Sequence, residues 1–307
     1  MGRIPRMVRT DPHQKTIYHI ISRTALAGLP FEAEHKDELL KIIKFYSRAY
    51  AVDVLGFAIM SNHFHLLVVM HPADTLSDDE VRRRVGLLYK NREAVFDFEL
   101  DDFRRRFSSL SDYVKDIKQT FSRYFNRCHE RKGTLWSERF KSVIVEEGRV
   151  AMHCLAYIDL NPVRAGIVKR PEWYRWSSIG YRAQRGTEGG FLSGSYGADN
   201  EEGDAAERFR VYRKYLYEVG RIEKRGAARI EAGIYHDVPE CDFKMSAIDR
   251  FGVRSRYFVD SGVIGSRGFV STIFDEFRER CRWRAIRKPK RVTGVDGMYS
   301  LKRLSGI

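Results

Sequence analysis

The sequence predicts an α+β fold, an antiparallel sheet with helices packed on it. Three observations lead there. Residues 16–69 read as strand, helix, strand, strand. A short polar pair, Ser61-Asn62, joins the second and third strands as a tight turn. A long amphipathic helix then precedes a fourth β-branched run, which completes the alternation of a mixed fold.

The elements follow in order. Thr16 to Arg23 (Thr-Ile-Tyr-His-Ile-Ile-Ser-Arg) is the first strand. From Glu34 to Ala49, Leu39, Leu40, Ile43 and Tyr46 recur at helical spacing. Val52 to Met60 is the second strand, and the third carries His63-Phe64-His65-Leu66-Leu67-Val68-Val69. This order is the opening of a ferredoxin-like fold. Leu76 to Arg92 is a charged helix capped by Ser77-Asp78-Asp79-Glu80. Asp97 to Asp102 reads as a solvated acidic turn. Ser111 to Arg131 is amphipathic, with Tyr113, Ile117, Phe121, Tyr124 and Cys128 on one stripe and Gly133 ending it. Phe140 to Val145 is a fourth strand, and Arg149 to Leu160 a helix before Asn161-Pro162. A first domain is expected over residues 1–183. Residues 184–204, rich in Gly, Ser, Asp and Glu, read as a linker or long loop. Residues 205–307 read as a mainly helical, basic extension, with helices over Ala205 to Val219, Lys244 to Arg250 and Ser271 to Ile286.

The chain has 307 residues, 43% hydrophobic and 31% charged, a globular composition rather than a disordered one. A net charge of +14 favours a polyanionic partner, most simply nucleic acid. Arg278 to Arg291 is dense in Arg and Lys around Trp283 and suits either a solvated face or phosphate contacts. The cysteines at 128, 154, 241 and 281 form no C-x-x-C pair, which fits reduced thiols. Met1 to Thr10 lacks a signal-peptide core, and no apolar run approaches a membrane span. A cytoplasmic, nucleoid-associated protein with no membrane partner is expected. No Walker-type glycine loop is present, so no nucleotide cofactor is expected.

His63 and His65 share one face of their strand, because successive side chains alternate. They are either two arms of a metal clamp or ordinary polar residues at a strand edge. Tyr157 and Asn161 lie four apart on one face of a helix. Taken singly, they read as a packing tyrosine and a helix-stop asparagine before Pro162.

Together these motifs resemble a known family. His63-Phe64-His65, then Gly133-Thr134-Leu135-Trp136 with Arg139-Phe140-Lys141-Ser142, then Tyr157-Ile158-Asp159-Leu160-Asn161-Pro162-Val163-Arg164-Ala165-Gly166, then Trp176-Ser177-Ser178 resemble the REP-associated tyrosine transposases. These are a branch of the single-tyrosine HUH transposase superfamily, and the likeness covers about residues 10 to 182. It implies an HUH nuclease domain in which His63, His65 and Asn161 hold Mg²⁺ or Mn²⁺. It implies Tyr157 as the nucleophile of a metal-dependent single-stranded DNA endonuclease and strand transferase that cleaves near hairpin-forming repeats through a 5′-phosphotyrosine. Softness rules alone leave zinc open for imidazoles. Family members often carry a His or other polar residue where Asp159 stands.

The expected partner is single-stranded or hairpin DNA. Arg23, Trp136, Arg139, Lys141 and Arg164 are the candidate contacts, taken as exposed groups for bases and phosphates. His153, one turn before Tyr157, reads as a partly exposed histidine or an aid to proton transfer. Tyr124, a rival nucleophile, falls on an apolar stripe. Two other classes remain: a binding protein on the same fold without catalysis, and a water-using metal nuclease. The chain is expected to be a monomer or a homodimer.

Overall fold

A computed structural model of the protein describes residues 6–9, 13–89, 95–186, 190–196, 203–221, 229–230, 256–281, 286–292 and 297–302. Its elements are β1 (Thr16–Arg23), α1 (Ala33–Ala49), β2 (Val52–Ile59), β3 (His63–Met70), α2 (Asp78–Leu88), α3 (Leu100–Phe107), α4 (Leu110–Cys128), β4 (Lys141–Val145), α5 (Arg149–Asp159), α6 (Asn161–Arg164), α7 (Ser178–Arg185) and α8 (Ala205–Arg221). They continue with α9 (Arg256–Asp260), β5 (Ser261–Gly265), α10 (Arg267–Cys281), β6 (Lys290–Arg291) and β7 (Tyr299–Lys302).

The strands form one seven-stranded sheet in the order β2-β3-β1-β4-β5-β7-β6. The first four are antiparallel, and β2-β3-β1-β4 is the strand order of the ferredoxin-like fold expected from the sequence. β3 explains the layering. Phe64, Leu66, Val68 and Met70 enter one apolar cluster with α1 and α4. Leu67 and Val69 enter a second cluster with α5 and α8 on the opposite face. A strand buried on both faces reads as a continuous apolar run, and His63 and His65 take the second face by alternation.

The extension adds something that helical periodicity does not predict. β5 pairs parallel with β4, so residues 261–302 continue the same sheet with three further strands. Ser261-Gly262-Val263-Ile264-Gly265 is short, contains two glycines and lacks a period-two pattern. Non-local pairing, parallel with β4 and antiparallel with β7, makes it a strand. Part of the expected linker is also folded. The Phe191 ring lies 5.7 Å from that of Phe57, Leu192 bridges to Val54, and Tyr196 stacks on Tyr212 at 4.7 Å.

The acidic patch is solvated as expected, but its 3₁₀ turn over Asp97–Glu99 runs on into a helix. Asp101 and Asp102 occupy the first turn of α3, and Arg104, Arg105 and Arg106 the last, which suits the helix dipole. Leu100 and Phe107 anchor it against Val81 and Val85. α4 ends at Cys128, ahead of Gly133. α10 spans Arg267–Cys281, shifted from the expected Ser271 to Ile286. The helix expected over Lys244 to Arg250, and Trp283 of the basic run, lie outside the described residues. Among the described residues no helix is long and apolar enough to cross a membrane.

Candidate active site

β1, β3 and α5 build the site on the second face of the sheet. Register fixes who is beside whom: Arg23 lies opposite His63, Ile21 opposite His65, and His19 opposite Leu67. On the other side of β1, Ile21 pairs with Lys141 and His19 with Val143. Directly paired residues share a face, so Arg23, Lys141 and the histidines all face α5.

α5 approaches closely because Gly56 in β2 leaves room. A Cβ built there would lie 2.1 Å from Leu155 Cδ1 and 2.7 Å from Ser178 Oγ. The approach brings the Tyr157 ring edge-on to His65, with centroids 5.7 Å apart, and to His19 at 5.9 Å. On its other side Tyr157 stacks on Phe258 of α9, at 5.7 Å and 21°. The tyrosine is only 6% exposed. Burial, its largest cause, pushes its pKa up to about 12; a hydrogen bond from Asn161 and the nearby Arg164 charge act in the opposite direction.

Burial holds the two motif histidines in their neutral form. Burial, aided by the Arg23 charge, pushes the pKa of His63 down to about 4. His65 is pushed well below its ordinary value by burial and then by His63 and His19. Hydrogen bonds assign the tautomers. Asn62 Nδ2 donates to the Gly28 carbonyl at 3.2 Å, so Asn62 Oδ1 is the acceptor 2.7 Å from His63 Nδ1. His63 therefore carries its proton on Nδ1, and its Nε2 lone pair is left for a ligand role. His19 Nδ1 lies 2.9 Å from the Phe258 carbonyl, which can only accept. Neutral His19 then accepts at Nε2, 3.0 Å from His65 Nδ1. His65 donates there and also presents an Nε2 lone pair.

Asn161 follows one turn beyond Tyr157. Its Nδ2 donates to the Tyr157 carbonyl at 2.8 Å, closing the end of α5, and its Oδ1 is the atom of metal-ligand type. Among the described residues no three His, Cys, Asp or Glu side chains group as metal ligands. Two imidazole nitrogens and an amide oxygen form a mixed donor set for a divalent ion; the imidazoles suit zinc as readily, so Mg²⁺ or Mn²⁺ is what the family resemblance implies and not what the donors select.

The other candidate residues divide. Arg23 is exposed beside His63, and Lys141 is half-buried at the start of β4. Arg164 is half-buried; its pKa is held down to about 10, mainly by burial against the pull of the Tyr157 and Tyr215 phenols, so it stays cationic beside the tyrosine at neutral pH. Trp136 is not an exposed aromatic. It is 8% exposed, packs against Phe31, Phe64 and Phe121 in the first cluster, and donates from Nε1 to the Lys118 carbonyl. The apolar surroundings, with Leu135 and Phe140 in the same cluster, hold the ring inside rather than leaving it exposed for bases. Arg139 is exposed in a cleft of about 1170 Å³ with Arg6, Lys115, Lys118, Arg123 and the edge of Trp136.

Three residues near the site carry more than their sequence setting suggests. His19 sits mid-strand between apolar neighbours and reads as a core residue. His153 is fully buried rather than partly exposed, hydrogen-bonded to the Tyr215 hydroxyl of α8. Asp159 is fully buried and accepts from Ser178 Oγ, the Ile179 N–H and the Tyr212 hydroxyl. Tyr124 packs at the margin of the first cluster, as its stripe predicts.

A strand–helix–hairpin unit bearing a histidine pair, with a tyrosine helix laid across it, is the arrangement that the comparisons match in part. Residues 13–79 match the family model described as "Transposase IS200 like". The matched stretch holds His19, His63 and His65 and ends before Tyr157 and Asn161, and it agrees with the resemblance read from the motifs. Among solved structures, one described as "Structure of the REP associates tyrosine transposase bound to a REP hairpin" aligns at 15% identity and a TM-score of 0.40. That alignment covers 62% of this chain and 91% of the other. No curated protein matches.

Proposed function

We propose that this chain is a tyrosine transposase that cleaves and rejoins single-stranded DNA beside a hairpin-forming sequence. The observation that carries the reading is the Tyr157 ring set against His65, whose Nε2 lone pair is available. The Tyr157 oxygen attacks the scissile phosphorus, a phenolic O–P bond forms, and the bond from phosphorus to the 3′ oxygen breaks. The phenol gives up its proton, the departing 3′ oxygen gains one, and the 5′ end stays on the enzyme as a phosphotyrosine. The reverse attack by a 3′-hydroxyl rejoins strands without ATP.

A phenol with a pKa near 12 is a weak nucleophile at neutral pH. Arg164 supplies a fixed positive charge beside the developing phenolate. His63, His65 and Asn161 would hold Mg²⁺ or Mn²⁺, which when bound stabilises charge on the non-bridging phosphate oxygens. Arg23 and Lys141, on the same face, would take backbone phosphates of the strand. Arg139 and its basic cleft lie on the opposite face and suit duplex phosphates of the hairpin.

Incubation with labelled hairpin-flanked single-stranded DNA and Mn²⁺ tests the proposal. A protein–DNA band that resists denaturation, needs the metal and disappears in Tyr157→Phe is expected. Cleavage persisting in that variant indicates a water-using nuclease. Binding without cleavage indicates a binding protein.

A further inference from the structure

Residues 205–307 have no assigned chemistry, yet α9 reaches the centre of the site. Its Phe258 carbonyl accepts from His19, His19 accepts from His65, and the His19 and His65 rings stack at 5.2 Å and 15°. All three groups are buried. We infer that His19 is a positioning residue, and that α9, through the Phe258 carbonyl and His19, fixes the His65 tautomer that leaves Nε2 unprotonated, as a metal ligand would need. The inference rests on the metal role proposed for His65.

Burial disfavours a charged His19, and a neutral His19 allows one direction only. A backbone carbonyl has no proton, so it forces the proton of neutral His19 onto Nδ1. The Nε2 so left bare forces the proton of His65 onto Nδ1. Two linked hydrogen bonds thus set a tautomer opposite to the Nε2–H form that would block ligation, and hold the ring's orientation as outer partners of metal-bound histidines do. The C-terminal extension is then part of the catalytic centre, tied to it by a main-chain atom.

The first test uses the unaltered full chain. In long-range proton–nitrogen spectra of ¹⁵N-histidine-labelled, metal-free protein, His19 and His65 should both be Nδ1-protonated. A His65 protonated at Nε2 overturns the inference. The second test is Mn²⁺ titration without DNA, read by the loss of free-ion EPR signal. His19→Phe fills the ring's space without the relay and should weaken uptake about 10- to 100-fold. His19→Gln retains an acceptor and a donor and should restore most of it. Unchanged affinity in His19→Phe overturns the inference, as does equal weakening in both variants tracking a common loss of melting temperature. If the unaltered chain takes up no Mn²⁺, the metal reading itself falls and the relay with it. That result is distinct from uptake that ignores His19, which sinks the relay alone.

Discussion

Tyr212→Phe isolates the bond by which the extension anchors the nucleophile's helix. Asp159, the last residue of α5, is fully buried, and its Oδ2 accepts from the Tyr212 hydroxyl of α8 at 2.7 Å. Its Oδ1 is held by Ser178 at 2.6 Å and by the Ile179 N–H at 3.0 Å. Burial raises the pKa of Asp159, and these three donors and Arg182 work against that rise. Deleting one hydroxyl leaves the ring packing in place and removes one donor from a buried acceptor. A hydrogen bond to a charged group contributes about 1.5–3 kcal/mol, so a loss of roughly 2 kcal/mol is expected. For a chain of this size that lowers the melting temperature by about 3 °C. Urea unfolding of the wild type, Tyr212→Phe, Asp159→Asn and the double variant measures it as a cycle. A coupling of at least about 1 kcal/mol is expected, since residues sharing a hydrogen bond do not behave additively. An unchanged midpoint in Tyr212→Phe, or additive single effects, would refute the anchor.

Further outcomes follow from the same geometry. Metal uptake needs both imidazoles neutral, and the pKa of His63 is already depressed to about 4, so Mn²⁺ binding should be level down to roughly pH 5.5 and fall only toward pH 4; a midpoint near the ordinary value of about 6.5 would contradict it. The same depression makes stability rise with pH between about 4 and 6.5, where the unfolded chain binds the proton and the folded one does not, and acid unfolding curves report it. Gly56→Ala forces a methyl against Leu155 and Ser178 and should cost about 1–3 kcal/mol in denaturant unfolding. Arg164→Gln should slow adduct formation about 10²-fold with little change in DNA affinity, as removal of a charge-stabilising donor does. An equal loss of affinity would return Arg164 to the role of a DNA contact.

The histidine strand was readable because two demands agreed there: β-branched and aromatic residues for the sheet, and a period of two for the facing imidazoles. Tyr157 and Asn161 were readable as a spacing on α5. His19 was not, because Tyr18-His19-Ile20 gives a buried histidine no distinguishing neighbour; its role exists only through a register partner on β3 and a carbonyl from α9. Trp136 misled for a related reason. It reads as an exposed aromatic suited to bases, whereas its ring packs against Phe31, Phe64 and Phe121, partners that lie far away in the chain or a helix apart. The strands of the extension escaped because β5 has two glycines and only two apolar residues in its five, where β4 of equal length is a β-branched run, and because its partner β4 lies far away in the chain. Asp159 was visible as a departure from family habit, and its partner Tyr212 explains it as the anchor for α8.

The central claim is that Tyr157 forms the covalent bond to DNA. The direct measurement is mass spectrometry of the adduct formed with a hairpin-flanked oligonucleotide and Mn²⁺, after nuclease and trypsin digestion. Arg149 and Arg164 bound the informative peptide. The account predicts a 5′-linked nucleotide remnant on that peptide, localised by fragmentation to Tyr157. A remnant on Tyr124 or any other residue, or cleaved DNA with no modified peptide, would contradict it.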